Sequence, residues 1–167
     1  MATPFHVELV TPERILFAGE ADEVSMRTDA GEIAFLAHHE DFIGAVDITV
    51  ARIHVVDGSS SDAEGGEDLV TAVHGGFVHV HPEGVRILAS VAELASEIDV
   101  DRARAALAAA EADAGTEERP DHAETAEGEP EVAKSPAMIA LLEPESADAR
   151  ERRARIRLEA AGVTANA

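Results

Sequence analysis

From Phe5 to Leu94 the apolar residues come in short bursts, many of them two positions apart, and turn formers interrupt them roughly every 8 to 12 residues. Such spacing suits strands with one wet face and leaves no helical stripe to bury. Phe5, Val7 and Leu9 alternate with His6 and Glu8. Ile15 to Phe17, Val24 with Met26, and Ile33 to Leu36 follow, then Phe42 to Val46 and Ile48 to Val56. Leu69 to Val73, Phe77 to Val80 and Val85 to Val91 complete the set. Thr28-Asp-Ala-Gly31 and Pro82-Glu-Gly84 read as turns, and a Ser-, Gly- and acid-rich loop runs from Asp57 to Asp68. The spacing predicts an antiparallel β-sandwich or barrel. No strand–helix alternation is present, which argues against a doubly wound nucleotide-binding sheet.

After Ser96 the character changes. Asp99 is placed to cap a helix, and Asp101 puts negative charge in its first turn, where the helix dipole favours it. The following alanine-dense stretch carries one large apolar residue, Leu107, and Gly115 stops it. A helix with so small a core face should dock lightly. Residues 111–131 then hold nine acids against the single base Arg119, a net −8, together with Pro120, Gly128 and Pro130. That composition predicts a disordered tether. A second helical segment, broken near Pro144, runs from about Glu145 to Ala161 and stops at Gly162. The expected organisation is a mainly β chain with α: a sandwich over 1–97, a first helix over 98–114, an acidic linker over 115–136, an Arg-rich helical segment over 137–162 and a tail over 163–167.

Composition narrows the partners. Of 167 residues, 34 are acidic and 13 basic, for a formal charge of −21, so nucleic acid and anionic membrane surfaces should repel the chain. Aromatic residues make up 3% and hydrophobic residues 46%, so the core must be aliphatic. The absence of cysteine excludes disulfides, thiolate metal sites and a Cys nucleophile. No run approaches the roughly 18 apolar residues of a membrane span, and the first residues show no leader pattern. The chain is expected to be cytosolic and to reach a membrane only through a partner.

Motifs for catalysis are missing: no phosphate-cradling glycine loop, no Gly-x-Ser-x-Gly elbow, no His-Glu-x-x-His helix. His79, His81 and Glu83, after Gly75-Gly76, offer a loose match to a cupin-like metal site, and that enzyme reading is the alternative to a binding role. The match lacks a further strand histidine, and His122 falls in the acidic tether. His38-His39-Glu40-Asp41 reads as a polar corner or partner contact. Arg150, Arg152, Arg153, Arg155 and Arg157 concentrate five of the 13 bases on one helix. With no interleaved aromatics, this cluster should fold back on the chain's own acids or reach an acidic surface on a partner.

Several stretches together resemble one family. Phe5-His-Val-Glu-Leu-Val-Thr-Pro-Glu-Arg-Ile-Leu-Phe17 is similar to the first hairpin of ATP synthase epsilon subunits. Gly31-Glu-Ile-Ala-Phe-Leu36 with His39 resembles the family's Gly-Glu-Leu-Gly-Ile-Leu-Pro-Gly-His, and Gly75-Gly-Phe-Val-His-Val-His-Pro82 its Gly-Gly-Phe-Val-Glu-Val-x-Pro. Val85 to Leu94 and Ile98-Asp-Val-Asp-Arg-Ala103 resemble the next strand and the start of the first C-terminal helix. Ala154-Arg-Ile-Arg-Leu-Glu-Ala-Ala-Gly162 is similar to the second helix of actinobacterial members. Ala37-His38 stands where the family has Pro-Gly, Glu40-Asp41 where it has Ala-Pro, and the linker between the helices is far longer than the usual turn.

The resemblance implies a non-catalytic central-stalk subunit of the proton-translocating F-type ATP synthase. It would be bound to the gamma subunit and the c-ring at the cytoplasmic face of the membrane, and transiently to the alpha and beta subunits. It implies c-ring contacts at Glu32 and His39, and a helix bearing Arg150, Arg152, Arg153, Arg155 and Arg157 that brakes ATP hydrolysis. No cofactor is implied, although Ile98, Asp99, Arg102 and Ala103 fit the motif through which some members bind ATP as a regulatory ligand. With so long a linker, a compact helical hairpin does not follow.

Overall fold

The computed structural model describes residues 3–56, 68–114 and 146–163. The predicted tether over 115–136, with His122, and Pro144 lie outside the described residues. Seven strands form the N-terminal part: β1 (Phe5–Val10), β2 (Ile15–Thr28), β3 (Gly31–Phe35), β4 (Phe42–Val55), β5 (Asp68–His81), β6 (Gly84–Ala89) and β7 (Ala92–Leu94). A single 3-10 turn (Ala95–Glu97) leads to helix α1 (Val100–Ala114), and helix α2 spans Ala147–Ala160.

Three pairs of expected strands are single long ones. Ile15–Phe17 and Val24–Met26 both belong to β2, Phe42–Val46 and Ile48–Val56 to β4, and Leu69–Val73 and Phe77–Val80 to β5. Each contains an irregularity that swaps its inward face. In β2 the buried set is Phe17, Gly19 and Ala21, then Val24, Met26 and Thr28, and the register with β4 shifts between Ala21 and Glu23. In β5 Thr71 and Val73 are followed inward by Gly76, Val78 and Val80. Gly75 and Gly76, at φ 82° and 142°, absorb that change of phase.

The sheet runs β1-β6-β5-β4-β2-β3, and β1 also pairs with β2, so five strands close on themselves, with β3 beyond β2 and β7 against the first half of β5. The expectation of an all-antiparallel sheet needs one correction: β1 and β6 are parallel, with Val7 opposite Val85 and Leu9 opposite Ile87. Parallel neighbours need a long connection, and the whole path from β2 to β5 supplies it. Inside the closed sheet lie Val7, Leu9, Val24, Phe35, Ile53, Val73, Val78 and Ile87, all fully buried. This is the aliphatic core that the scarcity of aromatics requires.

The helices pack on each other and one of them on the sheet. Asp99 caps α1, its Oδ1 accepting the Arg102 amide at 3.0 Å, and Ser146 caps α2 by accepting from the Ala149 amide at 3.2 Å. At the other end of α2, Gly162 takes φ 71°, and the Val163 amide donates to the Leu158 carbonyl at 2.9 Å, closing a Schellman turn. Ala103 and Ala110 on α1, and Ala147 and Ala154 on α2, are buried at seven-residue spacing, so each helix offers a stripe of methyl groups. Arg150 meets Asp113, and Arg155 meets Glu111 further along, so the helices run antiparallel. Ile156 and Ala160 of α2, with Ala161 just after it, pack against Val50, Val70, Ala72 and Ile98.

Candidate functional site

The face swap in β5 determines which histidines meet what. Before Gly75-Gly76, Val70, Ala72 and His74 point out of the sheet toward α2; after it, Phe77, His79 and His81 point outward on the uncovered part. His79 and His81 stand side by side with ring centroids 5.3 Å apart, and the Glu83 amide donates to His81 Nδ1 at 3.3 Å. Among the described residues no group of three or more His, Asp or Glu side chains is arranged to hold a metal ion. The cupin-like reading of His79, His81 and Glu83 therefore finds no geometric support.

The arginines of α2 turn back on the chain's own carboxylates. Arg152 Nη2 donates to both oxygens of Asp47 at 2.9 and 3.0 Å, while Arg150 and Arg155 reach Asp113 and Glu111 of α1 at 3.1 and 3.5 Å. Arg157 donates to Glu93 from Nη2 at 2.6 Å and from Nε at 2.7 Å. Burial would raise the Glu93 carboxyl, but the hydrogen bond and charge of Arg157 outweigh it and hold the group below the usual carboxylate range. Arg153, between these pairs, is half-buried. Beneath this seam lies His74, 3% exposed, with Nε2 3.6 Å from Glu93 Oε1. The sequence reading passed over it. Its only local signal is its place just before Gly75-Gly76, and the helix that buries it is far away along the chain.

Beside the seam, a cleft of about 670 Å³ opens between α2 and strands β2 to β4. Arg27, Arg52, Arg152, Glu32, Asp47 and Glu159 line it over an apolar floor that includes Ile48, Val50 and Ile156.

Glu32 and His39 lie at opposite ends of β3. Glu32 is opposite Arg27 beside the β2–β3 turn, and about 10 Å of strand separates it from Phe35, beyond which His39 sits. His39 packs edge-on to Phe35, centroids 5.1 Å apart, and its Nδ1 donates to the Glu40 carbonyl at 2.8 Å. His38 adopts φ 64°, where the family pattern has glycine. Leu36 and Ile43 flank this corner at 53% and 73% exposure.

In the motif over 98–103, Ile98 and Ala103 are buried, and the Asp99 carboxylate and carbonyl are engaged by the amides of Arg102 and Ala103. Arg102 is exposed, and its charge helps to lower Glu93. Three of the four residues thus serve the start of α1.

A feature not singled out from the sequence lies on the outer face away from α2. Phe77 is opposite Leu88, Leu88 opposite Val10, and Val10 opposite Ile15, forming an apolar stripe across β5, β6, β1 and β2. Ile15, Phe77 and Leu88 are all more than two-fifths exposed. Exposed apolar residues are ordinary singly, but a contiguous line of them sets a surface apart as a candidate binding face.

Comparison with known proteins agrees with this architecture. Residues 4–95 match the family model of the ATP synthase delta/epsilon chain β-sandwich domain. The ATP synthase epsilon chain of Streptomyces griseus is 37% identical over 123 residues, covering 72% of this chain and 93% of that one. That of Thermobifida fusca is 46% identical over 109 residues, covering 65% of this chain and 75% of its own. Among solved structures, a chain of the Euglena gracilis mitochondrial ATP synthase (OSCP, F1 and c-ring) shares the fold with a TM-score of 0.64. That match is 22% identical and covers 95% of this chain and 81% of that one. With its closed sheet, its outer helices and this similarity in sequence, the chain belongs to the epsilon chains of F-type ATP synthase.

Proposed function

We propose that the exposed stripe of Ile15, Val10, Leu88 and Phe77 is the surface on which the gamma subunit sits, and that the corner from Leu36 to Ile43, with His39, meets the c-ring. The chain is a non-catalytic subunit, so its work is mechanical: held by both partners, it passes rotation of the ring to the stalk. The single observation that carries this reading is the stripe, because a soluble monomer gains nothing by aligning apolar side chains on four neighbouring strands. Glu32, at the far end of β3, belongs to the c-ring contact only if that contact wraps the strand. No helix among the described residues is long and apolar enough to cross a membrane. We place the chain at the cytoplasmic face of the membrane through these partners, with the alpha and beta subunits touched transiently. The α2 arginines, engaged with internal carboxylates here, are the groups a brake on hydrolysis would carry to them. ATP, if it binds near Arg102, would act as a regulatory ligand.

Replacing Phe77 and Leu88 together by Asp tests the stripe. Both side chains point outward, so the variant should melt within about 2 °C of the parent. Its affinity for purified gamma should fall at least about 100-fold, because two anchors are lost and two charges are placed in an apolar contact. Unchanged binding to gamma would remove the stripe from the interface.

A further inference from the structure

Among the described residues, His74 is the most deeply buried titratable side chain outside the surfaces assigned above. It sits on the outer face of β5, yet its side chain is 1% exposed because α2 lies over it. Neither ring nitrogen has a hydrogen-bond partner among the described residues, and Glu93 Oε1 stops just beyond hydrogen-bond length at 3.6 Å. The charged groups that face it are Glu93 from β7, and Arg157 and Arg153 from α2. Across β4 its neighbour is Ile48. Glu93 is already engaged twice by Arg157. A proton added to His74 would thus place a further cation beside the guanidiniums of Arg157 and Arg153, with Glu93, the carboxylate that faces it, already bound by Arg157.

We propose that His74 is a proton-binding site whose occupancy competes with the docking of α2 on the sheet, so that acidification releases the helix. The structure requires the competition. With α2 docked, the imidazole has no water to solvate a charge; with α2 lifted, it faces solvent and Arg157 and Arg153 leave with the helix. The energies are consistent with this. Burial first, then the charges of Arg157 and Arg153, push the docked imidazole down to about 4, with Glu93 opposing only in part. In the released state it returns to the ordinary 6.5. A histidine whose docked value is depressed favours docking above the released value and loses that contribution as pH falls from 6.5 toward 4. Between pH 7.5 and 5.5 the ratio of released to docked helix should rise about tenfold. Glu93, held low by Arg157, acts in the same direction but at lower pH. The inference concerns α2 alone and does not depend on the gamma or c-ring contacts.

The natural absence of cysteine makes the test direct. Cysteines introduced into the full chain as Glu23→Cys on the sheet and Asp148→Cys on α2 take a donor and an acceptor dye. Energy transfer then reports docking between pH 7.5 and 5.5. The parent should show the roughly tenfold shift, and His74→Gln, uncharged throughout, less than a twofold shift. Equal pH curves for the two would overturn the proposal. Should His74→Gln fail to fold, the imidazole proton signals of the unaltered chain decide the matter. If His74 titrates near 6.5 while energy transfer shows α2 still docked, the site does not compete with the helix. If it titrates in step with loss of energy transfer, it does.

Discussion

Two backbone positions with positive φ call for opposite substitutions. His38, at φ 64° in the corner after β3, adopts a conformation that costs an L-residue about 1 kcal/mol and costs glycine almost nothing. His38→Gly should therefore be neutral to stabilising by about 0.5 kcal/mol, after allowing for glycine's greater freedom when unfolded. At Gly76, φ 142°, a Cβ would run into the backbone carbonyl of Leu88 on β6, which cannot step aside without breaking its ladder. Gly76→Ala should cost about 3 kcal/mol or more, since both strain and overlap must be relieved. Urea unfolding of the two variants beside the parent measures both, and a destabilised His38→Gly or a neutral Gly76→Ala would contradict the account. The Gly75-Gly76 pair was legible as a motif, but its task of swapping the face of β5 was not, because only the neighbouring strand shows which side is the core.

The same swap explains what the sequence concealed about the strands. Period-two alternation predicts a strand only while the phase holds, and a change in which face is buried makes one long strand look like two. Near Asp22-Glu23, at Asp47-Ile48 and at Gly75-Gly76 the apolar pattern breaks although the strand continues past the break. The start of α1 and the end of α2 are legible because capping is local: Asp99 and Gly162 act within a few residues of themselves. The docking of the helices was not legible, because Asp47, Glu93 and His74 come to α2 from distant strands. The seam they make is slight, with few apolar side chains and ion pairs that are largely exposed, each contributing about 0.2–1 kcal/mol. Among the described residues, the main core draws on none beyond Ala92. A chain ending at Glu97 should accordingly keep a cooperative melt, with a midpoint lowered only by the uncovering of Val50, Val70 and Ala72. Loss of cooperativity in calorimetry would show that α2 is part of the core rather than a cover.

At the scale of the molecule, charge is divided unevenly. An acidic body keeps five of its 13 bases on one lightly held helix, where Arg150, Arg152, Arg155 and Arg157 are engaged by the chain's own carboxylates. Once α2 is free, those cations are available to any acidic surface in reach. If that surface belongs to the catalytic subunits, an enzyme reassembled with the chain ending at Glu97 should hydrolyse ATP several-fold faster than one with the full chain. Proton-driven synthesis should be unchanged in both. Equal hydrolysis rates would leave α2 without a braking role. The sheet beneath has a different task. Five of its strands close on themselves through the parallel β1–β6 ladder and the β1–β2 pairing. A tube resists twisting far better than the same wall slit along its length, because shear in one seam is carried round to the next. A part that sits between a turning ring and the shaft it drives is loaded in torsion. Held between ring and stalk as proposed above, this small domain, closed by β1, would act as a stiff bushing that delivers torque instead of absorbing it as deformation.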